Sequence, residues 1–127
     1  MLYLIVFVGA GIGGALRHGV NVTAGRLFGL SFPYGTLIVN IAGSFLMGLL
    51  AGYFAFRPGI GQHTRLFLTT GILGGFTTFS AFSLDAALLI ERQAYGAAAG
   101  YVAGSVVASV AALFFGLAVF RTAGHLP

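Results

Sequence analysis

The chain has 127 residues, of which 58% are hydrophobic and only 6% are charged, whereas about 25% of the residues in a soluble domain carry a charge. This composition excludes a soluble globular protein, and the arginines behind the net charge of +4 are scattered too widely for a nucleic-acid-binding face. Residues 1–127 are therefore predicted to form a single integral membrane domain.

Four apolar segments are long enough to cross a bilayer as helices. They cover residues 2–28, 35–56, 66–90 and 97–120 and are joined by short polar or proline-containing links. The first segment lacks the basic start of a signal peptide and is interpreted as a retained span. The sequence thus predicts an all-α fold with four transmembrane helices and both termini on the same side of the membrane.

Arginines near the predicted helix ends are divided almost equally between the two sides of the membrane. The side with the termini holds Arg57, Arg65 and Arg121, and the other holds Arg26 and Arg92, with Arg17 if it reaches the surface. Because an arginine excess normally fixes which side faces the cytoplasm, this near tie permits insertion in both orientations. Four short helices are also too few to enclose a pore. We therefore predict a small oligomer, such as a dimer of oppositely inserted copies.

The first segment contains a glycine-rich run at residues 9–14, GAGIGG. The run matches a dinucleotide-binding fingerprint, which also requires an acidic residue about 20 positions later. The only acidic residues of the chain are Asp85 and Glu91, so that function is rejected. The spacing of four between Gly9 and Gly13 instead predicts close packing against another helix.

Asn40 lies a few residues inside the second segment. A spacing of four continues from it through Ser44, Gly48 and Gly52, and the small residues predict a smooth face for close helix packing. The Asn40 amide can donate a hydrogen bond to a ligand or across a helix interface. Its position alone does not distinguish the two roles.

The third segment contains residues 71–83, GILGGFTTFSAFS, an unusual composition for a membrane helix. Three glycines within five positions and the pair Thr77-Thr78 weaken helical hydrogen bonding. In hydrocarbon no water offers new partners, so irregular backbone persists only where protein buries it or where it lines a polar pathway or ion site. We predict a helix broken mid-membrane, with a functional site at the break.

Side chains after this break have chemistry that suits a small anion. Phe79 and Phe82 point the same way if the helix resumes after Thr78, and the electron-poor edge of an aromatic ring attracts an anion without a full charge. Hydrogen-bond donors that could replace the water shed by the anion are Thr78, Ser80, Ser83 and Asn40. Donors without a buried cation favour passage over tight binding. Ordinary packing stays an alternative for the rings, because the chain has 13 phenylalanines.

Two stripes with a spacing of four run along the fourth segment. One is made of small residues that let another backbone approach closely: Gly96, Gly100, Gly104, Ala108, Ala112 and Gly116. The neighbouring stripe carries the hydroxyls of Tyr101, Ser105 and Ser109 and continues to Leu113. A single serine in a membrane helix often bonds only to its own backbone, but three hydroxyls in one direction predict a polar track.

Catalysis is poorly supported, and the chain is not predicted to be an enzyme. His18, His63 and His125 lie near span ends or in the tail, without an acidic partner in the membrane and without metal-ligand spacing. A proton-coupled exporter of the small multidrug class is a stronger alternative, since such proteins also have four short spans and dual topology. Coupling would need an ionisable group within a span, and Asp85 keeps this alternative open.

The run at residues 74–83, GGFTTFSAFS, closely resembles a motif of the Fluc, or CrcB, family of bacterial fluoride channels. The resemblance extends over nearly the whole chain. It includes the runs GGALR at residues 13–17, GTLIVN at 35–40, AY at 94–95 and GY at 100–101. Together these motifs are far more specific than four hydrophobic spans.

The resemblance implies a fluoride-selective channel that exports fluoride passively across the cytoplasmic (inner) membrane and so relieves fluoride toxicity. It implies an antiparallel homodimer with two pores at the subunit interface. The residues that match the pore lining of the family are Phe79, Phe82, Asn40, Tyr101, Ser105 and Ser109.

The resemblance also implies a structural sodium ion (Na+) on the two-fold axis of the dimer, and no organic cofactor. The backbone carbonyls of Gly74 and Thr77 from both subunits would hold the ion, since carbonyls released at a helix break suit a hard cation. Arg17 matches a first-span arginine with an electrostatic or structural role. Leu113 departs from the threonine that continues the polar track in the family, so we expect a shorter track.

Overall fold

The structure, a computed structural model, describes residues 1–124, with side chains described as far as residue 120. The side chain of Arg121 and the whole of His125 lie outside this part. Every regular element in it is helical. Four stretches are long and apolar enough to cross a membrane: Leu2–Phe28, Tyr34–Ala55, Gln62–Glu91 and Tyr95–Phe120. The predicted all-α class with four membrane-spanning helices is confirmed.

The first two spans are continuous helices, α1 (Leu2–Phe28) and α2 (Tyr34–Ala55). α1 ends at Gly29, whose φ of 83° is readily adopted only by glycine. Pro33 precedes α2, where its missing N–H costs nothing because the first amides of a helix have no intrahelical partner. These two residues let the chain reverse direction within a short link.

The third span is divided into several parts. They are α3 (Gln62–Leu66), a widened π-helical segment (Phe67–Leu73), α4 (Gly74–Phe76) and α5 (Ser80–Glu91). The backbone leaves helical geometry at Thr77, with φ −80° and ψ 160°, and the helix resumes at Ser80. The span begins before the predicted residue 66, because the polar residues 62–65 form a first turn that the apolar pattern does not mark.

Glycines bring the third span into close contact with α1. The Gly71 and Gly9 backbones touch, and a side chain at Gly13 would clash with the Ile72 carbonyl. A side chain at Gly75 would clash with the Ala10 carbonyl in the same way. The close packing predicted for Gly9 and Gly13 is confirmed. Gly71 and Gly75 of the third span therefore serve packing against α1, and the non-helical residues follow them at 77–79.

The fourth span is one helix, α6 (Tyr95–Gly124), which packs mainly against α2. A side chain at Gly48 would clash with the Leu113 carbonyl, and one at Gly116 would clash with the Phe45 carbonyl. The space beside Gly96, Gly100 and Gly104 is open. Within the described chain, the small-residue stripe of α6 thus packs closely against another helix only toward its C-terminal end.

α5 is held to the bundle by a small apolar cluster near its C-terminal end. Leu89, Ala98 and Tyr101 are buried there, and Phe32 and Phe82 pack against them. A cavity lies between α2, the interruption of the third span, and α6.

Candidate functional site

The cavity has a volume of about 470 Å³ and lies beside the interruption of the third span. It brings together most of the residues that the sequence singled out: Asn40, Gly74, Thr77, Thr78, Phe79, Phe82, Ser105 and Ser109. No charged side chain of the described residues lines it. Its chemistry is therefore that of hydroxyl, amide and aromatic groups without formal charge.

The Asn40 side chain is bonded to the interrupted backbone. Its Oδ1 accepts a hydrogen bond from the Thr78 N–H at 2.9 Å, and its Nδ2 donates to the Thr78 carbonyl at 3.0 Å. The amide thereby satisfies two backbone groups that the interruption has removed from the helix. One N–H of Nδ2 is left over, so Asn40 keeps at most one donor for another partner.

The Thr78 hydroxyl caps the start of α5. Its Oγ1 accepts the Ala81 N–H at 3.1 Å and lies 3.4 Å from the Ser80 Oγ. Such a hydroxyl satisfies one of the free amides at a helix N-terminus. Because the oxygen accepts from the backbone, the hydroxyl proton is directed away from Ala81.

The two predicted aromatic residues lie side by side at the cavity. The ring centroids of Phe79 and Phe82 are 5.6 Å apart, with an interplanar angle of 49°. Phe79 is 77% exposed, whereas Phe82 is partly buried and packs against the apolar cluster. A large apolar ring that protrudes so far marks the open side of the cavity as a surface that lipid or another chain must cover.

Ser105 and Ser109 of α6 line the same cavity. Both Oγ atoms are buried, and neither has a hydrogen-bond partner in the described part of the chain. Ser105 is only 5% exposed. A buried hydroxyl without a partner costs free energy, so these two groups are suited to a guest in the cavity.

Tyr101 does not line the cavity, although the sequence placed it on the same polar track. Its ring is 1% exposed and lies behind Phe82, with a centroid distance of 5.1 Å. The hydroxyl donates to Asp85 Oδ2 at 3.2 Å. Tyr101 thus supports Phe82 from behind, and its hydroxyl points to a second region, which contains Asp85.

That second region is a cavity of about 690 Å³ near the ends of α1 and α5. Thr36, Asp85, Glu91 and Arg92 line it. The Arg92 guanidinium donates to the Ser31 carbonyl at 2.6 Å and ties α5 to the link between α1 and α2. Unlike the first cavity, this region carries charges of both signs.

Other predicted site residues lie apart from the first cavity. Ser80 and Ser83 are exposed on α5, and neither lines a cavity that holds the other predicted residues. Arg17 is half-buried on α1 and lines neither of the two cavities.

The end of the first cavity is apolar. Met47, Val106 and Leu113 line it together with the serines. Leu113 occupies the position after Ser109 in the hydroxyl stripe, as its spacing predicts. The series of hydroxyls on α6 therefore stops at Ser109.

Two contributors to the site were missed in the sequence. Gly43 on α2 receives the Thr77 methyl group and would clash with it if it carried a side chain. Asp85 was considered only as an ionisable group, not as the partner of Tyr101. The spacing of three residues from Asn40 to Gly43, and from Phe82 to Asp85, is the signal that places each pair on one helix face.

Fold and site together define a four-span membrane protein with an uncharged polar cavity at the interruption of its third span. The family model described as CrcB-like protein, Camphor Resistance (CrcB), matches residues 4–117. The chain belongs to this family, as its sequence motifs predicted.

Relatives match along nearly their whole length. A protein of Methylobacterium nodulans (strain LMG 21967 / CNCM I-2342 / ORS 2060) is 67% identical over 121 residues, which are 95% of this chain and 97% of the relative. One of Rhodopseudomonas palustris (strain BisB5) is 61% identical over 95% of this chain and 98% of its own. One of Granulibacter bethesdensis (strain ATCC BAA-1260 / CGDNIH1) is 58% identical over 96% of each. All three are named fluoride-specific ion channel FluC.

Proposed function

We propose that the chain is a fluoride-specific ion channel that lets fluoride leave the cell passively and so relieves fluoride toxicity. The observation that carries the proposal is the cavity beside the interruption. Among the described residues, it is lined by aromatic rings and by two serines whose hydroxyls have no hydrogen-bond partner, and by no charged side chain. The names of the relatives specify the ion.

The cavity chemistry suits a small, strongly hydrated anion. Ser105 and Ser109 have hydroxyls without a competing partner in the described part of the chain, and these would replace part of the water shell of fluoride. The edges of Phe79 and Phe82 add a weak electrostatic attraction. Because no cationic side chain among the described residues lines the cavity, the anion is not bound tightly and can also leave, as conduction requires. The Thr78 hydroxyl proton and the remaining Asn40 N–H are further donors along this path.

The path would be completed by a second copy in the opposite orientation. Phe79 protrudes from the open side of the cavity, and the glycines at the start of α6 have open space beside them. An antiparallel homodimer in the cytoplasmic membrane would cover both features and form two pores. The near tie in arginine number between the two membrane sides agrees with such dual insertion.

The backbone beside the interruption fits the sodium ion that the family implies. The Thr78 N–H, which would bond to the Gly74 carbonyl in a continuous helix, bonds to Asn40 instead. Thr77 is extended, which turns its carbonyl out of the helical direction. Gly74 and Thr77 from two copies would hold the ion, and its charge would fix the two interruptions at the dimer axis.

The proton-coupled exporter is disfavoured by the position of Asp85. The carboxylate bonds to the Tyr101 hydroxyl and lies outside the uncharged cavity. Coupling requires an ionisable group on the transport path.

Passive conduction can be separated from proton coupling in liposomes. Vesicles that hold the purified protein and fluoride are given a potassium diffusion potential with equal pH on both sides. We expect fluoride efflux that follows the electrical potential and persists in Asp85→Asn, since the Asn oxygen still accepts from Tyr101. Efflux that needs a pH gradient, or that stops in Asp85→Asn, would support the exporter.

A further inference from the structure

The two hydrogen bonds between Asn40 and Thr78 replace two bonds of a continuous helix. In an α-helix each N–H donates to the carbonyl four residues earlier. Thr78 would donate to Gly74, and Phe82 would donate to Thr78. In the structure both Thr78 groups bond to the Asn40 amide instead, at 2.9 and 3.0 Å.

This exchange of partners leaves one backbone acceptor, the Gly74 carbonyl, and one backbone donor, the Phe82 N–H, without their helical partners. Among the described residues, the Phe82 N–H makes no hydrogen bond to the Thr78 carbonyl, whereas the next amide, Ser83 N–H, donates to the Phe79 carbonyl at 2.9 Å. The Gly74 carbonyl likewise loses its helical donor. Gly74 and Phe82 both line the 470 Å³ cavity.

The same face of α2 also fixes the residue before Thr78. The Thr77 methyl group fits against Gly43, while the Thr77 N–H and Oγ1 both donate to the Leu73 carbonyl at 3.0 Å. Thr77 is thereby held in its extended conformation. α2 therefore contacts the interruption at two successive residues, Thr77 through Gly43 and Thr78 through Asn40.

We infer that Asn40 is a positioning residue that keeps the third span interrupted. By bonding both backbone groups of Thr78, it leaves the Gly74 carbonyl free for a cation and the Phe82 N–H free for an anion. The identity of these ions rests on the proposed function, but the release of the two backbone groups does not. A residue that only donates to a passing ion would have no such effect on the backbone.

The first test uses the unsubstituted protein in detergent and measures amide hydrogen exchange residue by residue. We expect the Thr78 amide to be protected although it lies outside the helices. The Phe82 amide should exchange faster than the neighbouring Ser83 amide, by roughly tenfold for one missing hydrogen bond. Equal protection of Phe82 and Ser83, or an unprotected Thr78, would overturn the inference.

The second test compares Asn40→Ala with Ser44→Ala, which removes a polar group from the same helix and the same cavity. Without Asn40, the Thr78 amide should return to the Gly74 carbonyl, since an unpaired backbone group is costly in hydrocarbon. The carbon chemical shifts of Thr77 should then move from extended to helical values in Asn40→Ala only.

Fluoride efflux of the same variants separates this role from direct ion contact. Loss of flux with a helical Thr77 supports the positioning role. Loss of flux with Thr77 still extended refutes it and assigns Asn40 to the ion. If the unsubstituted protein does not conduct fluoride but Thr77 becomes helical in Asn40→Ala, the positioning role is supported and the proposed function is rejected. If Asn40→Ala does not fold, the exchange rates of the unsubstituted protein decide.

Discussion

At the scale of single residues, the site depends on polar groups that lack partners among the described residues. The hydroxyls of Ser105 and Ser109 are buried without a hydrogen bond to any of these residues, whereas the Tyr101 hydroxyl donates to Asp85. The spacing of four predicted the same role for all three residues because they share one helix stripe. Tyr101 differs from the two serines because its ring packs behind Phe82 and does not line the cavity.

The aromatic pair supplies a prediction at this scale. Phe79→Ile and Phe82→Ile keep an apolar side chain but remove the ring edge. Each should lower fluoride flux by about tenfold, which corresponds to a loss of ~1.4 kcal/mol of ion stabilisation at the barrier. The measurement is fluoride efflux from liposomes, with the dimer checked by gel filtration. Unchanged flux in both variants would show that the rings serve packing alone.

At the scale of helices, glycine contacts decide how the third span is held. The backbone of α1 touches the π-helical segment at Gly9 and Gly13, and α2 touches α6 at Gly48 and Gly116. Close approach of backbones is the usual means of helix association where lipid removes the hydrophobic driving force. By allowing these close contacts, the glycines hold the third span against α1 and so place its interruption beside α2.

Two glycines on α1 make a matched pair for testing this packing. A side chain at Gly13 would clash with the Ile72 carbonyl and the Phe76 amide, whereas the space around Gly11 is open. Gly13→Val should destabilise the protein by about 1–3 kcal/mol, and Gly11→Val should have little effect. Unfolding in a denaturing detergent measures both. Equal stability of the two variants would contradict the close contact.

The sequence predicted the elements well and the details of the interruption less well. Hydropathy located all four spans, because crossing a bilayer requires long apolar runs. Composition located the weak stretch at residues 71–83 without distinguishing its glycines from Thr77-Thr78. The non-helical residues are 77–79, whereas Gly71 and Gly75 remain helical and pack against α1. The Asn40 bonds to Thr78 join residues 38 positions apart, and local pattern cannot predict such a pairing.

At the scale of the whole molecule, one chain alone leaves the site uncovered. Phe79 and Val106 line the cavity and are 77% and 53% exposed. The proposed antiparallel dimer would bury these side chains and enclose the two pores, one beside the cavity of each copy.

Dual insertion can be tested with single cysteines, since the chain has none of its own. A cysteine placed near the N-terminus should react with a membrane-impermeant reagent from outside in about half of the copies, because the positive charges barely favour either orientation. Labelling is compared before and after the membrane is opened. Labelling of all copies, or of none, before opening would indicate a single orientation and contradict the antiparallel dimer.

The central claim, that the uncharged cavity conducts fluoride selectively, is tested most directly by ion efflux from liposomes that contain the purified protein. Fluoride and chloride are loaded into matched vesicles and released under the same potassium diffusion potential. We predict rapid fluoride efflux and chloride efflux no faster than that of protein-free vesicles. Chloride that leaves as fast as fluoride, or fluoride retained as in empty vesicles, would contradict the account.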